Sequence, residues 1–415
     1  MITTLITPND NIESRPSVQD NLFFIAQSDN SASVDFKYVF DVFVNNVQLV
    51  RTKIYPEPNN LNGYFDASQV LRNEIQYDWF RPLPIDANTL TTAKPNETNQ
   101  IAVTYDLYVG EDVSAVTTLN LASATCKAYN YAPSLFGRNP NEQIYSTPFF
   151  TTSKPSIRNA IKGNPILIGA YMPDSINTQL LRFRTRTYES DNSIIDIYDK
   201  LISDNDINHH FYQYDFSLGS LQQFYNDVTL SYDNIKYYEV ELQYFDIDEI
   251  DPQRAWKRLL VQRIYLNCYP KYTTIPLYFI NKYGMFDTAF FQLSNKLTFD
   301  IERKAFEQRD YNYGINSVDY FTSVDNVNVY NETKINFSNK INWTYKLTMD
   351  TPTDTEFEWL SELMYSPQIY ARIDNDFYPI TIKGTNYEYS KYQNNGLKPF
   401  EVEIDVNQKR YGFRR

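Results

Sequence analysis

VDFKYVFDVFVNNVQLVRTKIY, residues 34–55, decides the fold class. Phe36, Tyr38, Phe40, Val42 and Val44 fall on one face of an extended chain, with Lys37, Asp41 and Asn45 opposite. A period of two is what a strand with one buried face requires. Asn45-Asn46 then breaks the alternation, and asparagine tolerates the left-handed backbone of a two-residue hairpin turn. The stretch predicts an antiparallel hairpin.

The same pattern spreads outward. In IAVTYDLYV (101–109), Ile101, Val103, Tyr105, Leu107 and Val109 alternate with polar or small residues. Asp66 stands where it can cap a short helix, ASQVLRN. Further strands follow in NPILIGAYMP (164–173) and LLRFRTRTY (180–188). YYEVELQYF (237–245) places Tyr238, Val240, Leu242 and Tyr244 inward, with Glu239, Glu241 and Gln243 facing solvent. KLTFDIERKAF (296–306) predicts Leu297, Phe299 and Ile301 inward. A helix is expected after Thr353 or Asp354, with Glu356 completing a capping box and Phe357, Leu360, Leu363 and Met364 as its apolar stripe. Ser366-Pro367 stops it, QIYARI and FYPITIK form a hairpin around Asp374-Asn375-Asp376, and KPFEVEIDV adds a last strand.

Breaks in this pattern divide the chain. TTSKPSIRN (151–159) is polar, carries Pro155 and reads as a linker, and FDIDEIDP (245–252) reads as an acidic interdomain turn. The expected architecture is mainly β: tandem antiparallel β-sandwich domains at 1–152 and 153–252, then a C-terminal α+β domain at 253–415.

Composition narrows the function. A net charge of −13 repels a phosphate backbone, so free nucleic acid is not an expected partner. Two cysteines, Cys126 and Cys268, make neither a disulfide framework nor a zinc pattern and suit a reducing compartment. There is no apolar run long enough for a spanning helix, and the start MITTLITPNDN lacks the basic and apolar regions of a signal peptide. Tyr and Phe together number 63 against 11 Gly, which favours strands over glycine-loop nucleotide binders.

No catalytic, cofactor-binding or metal residue is assigned. His209 and His210 are neighbours and point to opposite faces of an extended chain, which prevents joint chelation. Asp246, Asp248, Glu249 and Asp251 lack the Gly and the final Glu of a calcium loop, Lys257 standing at the last position. Arg182, Arg184 and Arg186 line one strand face, to be solvated, paired with carboxylates, or a local basic patch. The basic ending QKRYGFRR is either a disordered tail or a docking peptide for an acidic neighbour. Tyr64, Trp79 and Phe80, beside loop-forming Asn and Pro, are the candidates for sugar stacking. In LYFINKYGMFDTAFF (277–291), Leu277, Phe279, Phe286, Phe290 and Phe291 belong in a core, Gly284 marks a turn, and Asp287 is placed to accept nearby backbone N–H groups.

Three stretches, 36–73, 277–291 and 359–392, resemble tail-module virion proteins of Bacteroidetes-infecting phages, the crAss-like group among them. The first is a hairpin, a Pro/Asn loop and a GYFD-helix step. The second is similar to an aromatic-Leu/Ile-Asn-x-x-Gly-x-aromatic-Asp segment, with Met285 and Phe286 where the family carries Gly and Trp. The third is a helix followed by a hairpin, as in tail-hub and tail-tip proteins. The resemblance implies a non-enzymatic component of the tail hub, baseplate or head–tail connection. It would be assembled in the host cytoplasm as a homo-oligomeric ring, six- or twelve-fold, that contacts other tail proteins. A receptor- or carbohydrate-binding tail protein that attaches to a host surface glycan is the alternative.

Overall fold

The computed structural model describes residues 1–8, 17–75, 102–130, 149–150, 152, 154, 156–161, 164–171, 181–201, 211–224, 234–245, 255–266, 271–307, 334–350, 354–374, 376–384, 399–406 and 410–411. Strands take 64% of these residues, in several antiparallel sheets, so the chain is mainly β. It divides into two compact units. One comprises Met1–Tyr269, Tyr278–Phe290 and Thr353–Gln368, and the other Pro270–Leu277, Phe291–Pro352 and Ile369–Arg415.

The first unit begins with β1 (Ile2–Ile6), β2 (Phe23–Ser28), β3 (Lys37–Val44), β4 (Val47–Ile54), β5 (Gly63–Asp66), α1 (Ser68–Arg72), β6 (Ala102–Val113) and β7 (Val116–Tyr129). They make two sheets, β1-β2-β5 and β4-β3-β6-β7. The hairpin reading holds: Asn45 and Asn46 have φ of 51° and 64°, the pair of left-handed residues that the right-handed twist of a two-residue hairpin selects. Tyr38, Phe40 and Val42 are fully buried and share one core with Phe24, Phe65, Val103, Tyr105 and Leu107. The Asp66 carboxylate accepts the Ser68 N–H at 2.9 Å and the Leu22 N–H at 2.9 Å, so it secures both the start of α1 and the strand beside it.

Next come β8 (Phe149–Phe150), β9 (Ser156–Ala160), β10 (Leu167–Tyr171), β11 (Leu181–Tyr188), β12 (Ile194–Leu201), β13 (Phe211–Asp215), α2 (Leu218–Phe224), β14 (Tyr237–Phe245) and β15 (Trp256–Leu266). Sheets β13-β10-β8 and β12-β11-β14-β15-β9 enclose a second core around Phe183, Tyr238, Val240, Leu242 and Ile264. Part of the expected linker is a strand, and strand pairing runs across the expected boundary at 252. Within 151–159, β9 pairs in parallel with β15, and β14 pairs with β15 across residue 252. Strand pairing, with its full set of main-chain hydrogen bonds, outweighs the polar, Pro-containing composition that marked 151–159 as a linker.

The 253–415 stretch is likewise divided. β16 (Ile275–Ile280) and β17 (Phe286–Phe291) are joined by a turn, and α3 (Asp354–Tyr365) follows later in the chain. Tyr278–Phe290 and α3 belong to the first unit, because their apolar faces are buried there: Tyr278, Phe279, Phe290, Trp359, Leu360 and Leu363 are all essentially inaccessible. Of the two proposed caps, Thr353 lies outside the described residues and Asp354 is the first residue of α3. Asn281, and not Asp287, organises the turn: its Oδ1 accepts the N–H groups of Tyr283 (3.0 Å) and Met285 (3.1 Å).

The second unit holds β18 (Lys296–Glu307), β19 (Lys334–Met349), β20 (Ile369–Ile373), β21 (Asp376–Lys383), β22 (Phe400–Val406) and β23 (Arg410–Tyr411). They follow the order β20-β21-β22-β19-β18, with β23 also on β19. Leu347, Val402 and Ile404 are buried as the alternation predicts. Leu297, Phe299 and Ile301 are not: they are 37%, 53% and 46% exposed. Alternation identifies the face, but β18 lies at the sheet edge, where the core ends. The basic ending contributes β23, whose Arg410 and Tyr411 pair with Ile341 and Lys340.

Gly284 has φ +76°, and a Cβ built on it would lie 2.5 Å from the Asn130 carbonyl oxygen. Gly284→Val therefore combines a left-handed backbone with a backbone clash. It should lose at least ~2 kcal/mol, read as a lower melting temperature and reduced soluble yield. Melting like the parent would contradict this packing.

Candidate interaction face

The arginine stripe is paired. On the non-core face of the β12-β11-β14-β15-β9 sheet, cross-strand rows run Leu201–Arg182–Gln243–Arg258, Asp199–Arg184–Glu241–Val261 and Ile197–Arg186–Glu239–Arg263. Arg184 forks onto Asp199 with two 2.7 Å bonds, and Arg182 adds a third at 3.0 Å. Partial burial works against the Asp199 charge, yet the Arg184 hydrogen bond and the charges of Arg182 and Arg186 hold its carboxyl below the usual range. Arg186 lies 3.1 Å and Arg258 3.5 Å from Glu241, whose remaining oxygen accepts from Gln243 at 2.6 Å. Arg263 donates to Glu239 at 2.5 Å and 2.9 Å, and Tyr188 donates to the same carboxylate at 3.0 Å.

Glu239, Glu241 and Gln243 were expected in solvent. They are 7%, 0% and 4% exposed. Arg258 and Arg263, about half exposed, pair with Glu241 and Glu239 beneath them, whereas Arg182 is itself buried and Asp199 is more exposed than either arginine it binds. Aromatics close both ends. Tyr188 stacks on Tyr237 at 4.7 Å, with Tyr265 5.7 Å further on, and Arg182 lies 3.8 Å over the Trp256 ring. At the side, edge strand β12 leaves Ile194, Ile197 and Leu201 about half exposed (49%, 51% and 56%). Arginine, tyrosine and tryptophan beside exposed aliphatics are the residues enriched where proteins meet.

A second cluster is wholly internal. Asp287 Oδ2 accepts from Trp359 Nε1 at 2.8 Å and from Thr152 Oγ1 at 2.9 Å. The Lys154 ammonium lies 4.0 Å over the Trp359 ring, and Glu362 accepts the Lys282 N–H at 3.0 Å. Burial first, then the charge of Glu362, pushes the Asp287 carboxyl up to about 7, against donation from Trp359, Asn281 and Thr152. Such a shift can mark an acid–base residue. Here the accepting oxygen is occupied by two donors from distant segments, and the cluster ties those segments together. The sequence flagged Asp287 but not its partners, which stand 135 and 72 residues away.

His209, His210, Trp79, Phe80, Cys268 and the acidic run 246–251 lie outside the described residues. Cys126 is buried. Among the described residues no group of three or more His, Cys, Asp or Glu is placed to hold a metal ion, and no helix is long and apolar enough to cross a membrane. No known family model matches the chain, and no curated protein matches it.

Two measurements check these assignments. Glu241→Leu strands Arg186 and should cost about 3–5 kcal/mol, whereas Arg258→Ala, at an exposed group, should cost under ~1 kcal/mol. Asp287 gives a pH signature. A carboxyl raised on folding costs stability progressively as pH climbs from the ordinary Asp range to its folded value, and in full above it. Asp287→Asn should therefore remove about 1–4 kcal/mol of the stability the parent loses between about pH 5 and pH 8, measured by chemical denaturation.

Proposed function

We propose that this chain is a structural component of a bacteriophage tail, in its hub, baseplate or head–tail connection. In this reading it assembles as an oligomeric ring in the host cytoplasm, works through protein–protein contacts with other tail proteins, and carries out no catalysis. The observation that carries the reading is the guanidinium–tyrosine face beside the exposed aliphatic edge of β12. Its carboxylates are already neutralised from within, so a partner covers it at little desolvation cost to unpaired charge. The resemblance of 36–73, 277–291 and 359–392 to tail-module proteins supplies the setting. A ring needs head-to-tail contact between two different surfaces of one chain, and a chain built of several β-sheets has surfaces to offer.

A second reading, a glycan-binding tail protein, is favoured by Tyr55 and Tyr64, 64% and 38% exposed, with Asn60 bonding the Tyr64 hydroxyl at 2.7 Å. Stacking on a sugar ring would use such aromatics.

Native mass spectrometry of the purified chain should give a six- or twelve-fold multiple of the chain mass, and the chain should be found in virions by mass spectrometry of purified particles. A stable monomer absent from virions defeats the tail reading. Saturable binding on a host glycan array, lost in Tyr64→Ala, would transfer the assignment to the second.

A further inference from the structure

The β18–β19 pair of the second unit extends past its sheet. β22 reaches only Thr344–Met349 of β19, and β23 only Lys340 and Ile341. Arg303–Glu307 and Lys334–Asn339 therefore pair with each other alone among the described residues. A two-stranded ribbon is marginal in water without something packed on it. β18 also has no strand on its outer side among the described residues, leaving a twelve-residue edge to pair.

The apolar face of this sheet does not stop where its cover stops. The buried row Leu347, Val402 and Ile404 continues through Tyr345, 8% exposed, to Leu297 beside it. Phe299, which meets Trp343 edge-on at 5.4 Å, and Ile301 extend the stripe outward, and Phe306 is 48% exposed further along the strand. The ribbon also differs from the rest of the chain in charge. β18 balances Lys296, Arg303 and Lys304 against Asp300, Glu302 and Glu307, while β19 carries Lys334, Lys340 and Lys346 and no acid. That makes the β18–β19 pair +3 in a chain of −13, so the remainder of each copy is −16; of these charges, Lys346 is met by Glu401 within the sheet, while Arg303, Lys304 and Lys334 against Glu307 leave the overhanging ribbon +2.

We propose that this ribbon is an assembly arm: a second copy of the chain covers the Leu297–Phe299–Ile301 stripe and pairs with the β18 edge. Charge complementarity selects the occupant, because a cationic apolar arm is attracted to the acidic body of another copy. Main-chain pairing along β18 supplies affinity, and the apolar stripe fixes register. The arm rests on the ring reading, for which it is one of the two surfaces a head-to-tail contact needs.

The test uses the full chain in analytical ultracentrifugation across concentration, at low and high salt, with thermal melting as the fold control. The parent should associate, and added salt should weaken that association. Phe299→Asp with Ile301→Asp should weaken association by at least about tenfold while melting like the parent. Lys304→Glu with Lys334→Glu, at exposed charges, should weaken it also, and remains readable if the first variant folds poorly. A parent that stays monomeric at every concentration overturns the arm, as does an oligomer that both variants leave intact. The latter result leaves the ring reading standing on another surface. A two-subunit complex that the variants dissolve upholds the arm and defeats the ring. A monomeric parent destabilised by Phe299→Asp shows that the chain's own residues cover the stripe, and this too overturns the proposal.

Discussion

A single buried carboxyl oxygen holds three distant parts of the first unit in place. Asp287 Oδ2 receives Thr152 and Trp359, so a segment between strands, a β-hairpin and a late helix must all be positioned before either bond forms. Each donor stands in for water that the carboxyl loses on burial, and leaving one out would strand a desolvated acceptor. The Glu362 bond to the Lys282 N–H and the Ser366 hydroxyl bond to the Ile280 N–H, 2.9 Å long, repeat the connection at the neck of the hairpin. This explains why 278–290 and 353–368 fold with residues far earlier in the chain and leave the intervening residues to a separate unit.

Much of this was legible wherever the deciding physics is local. The Asn45-Asn46 turn needs only residues that accept positive φ between two alternating strands. Gly284 is flanked by apolar runs, and a turn between them has to bend at the one residue without a side chain. What could not be read depends on neighbours distant in sequence. Glu239 and Glu241 have the spacing of a solvated face, and nothing within YYEVELQYF announces that arginines of β11 and β15 will cover them. Leu297, Phe299 and Ile301 have the spacing of a core face, and period two is silent about whether a strand ends up inside a sheet or at its rim. The same limit hid Asp287: its residue type was noticed, but its donors are a threonine and a tryptophan that no local motif connects to it.

Both misreadings come from sheet geometry, and together they bear on function. Charge buried beneath arginines converts one sheet face into a surface of planar, weakly hydrated groups, and apolar residues left at an edge convert another into a surface that water does not suit. Neither arrangement converges polar groups on a reacting atom. Both match what one protein presents to another, with aromatic and guanidinium anchors and, among the described residues, a strand edge that no other strand pairs. That pattern underlies the reading of the chain as a building block.

Hydrogen–deuterium exchange on the full chain, compared between dilute and assembled samples, tests that reading most directly. The account predicts that assembly slows exchange in Lys296–Glu307 and Ile194–Leu201, while the amides of Tyr278–Phe290, already buried, stay as slow as before. Exchange in both edge strands that is unchanged on assembly, with new protection elsewhere on the chain, would contradict it.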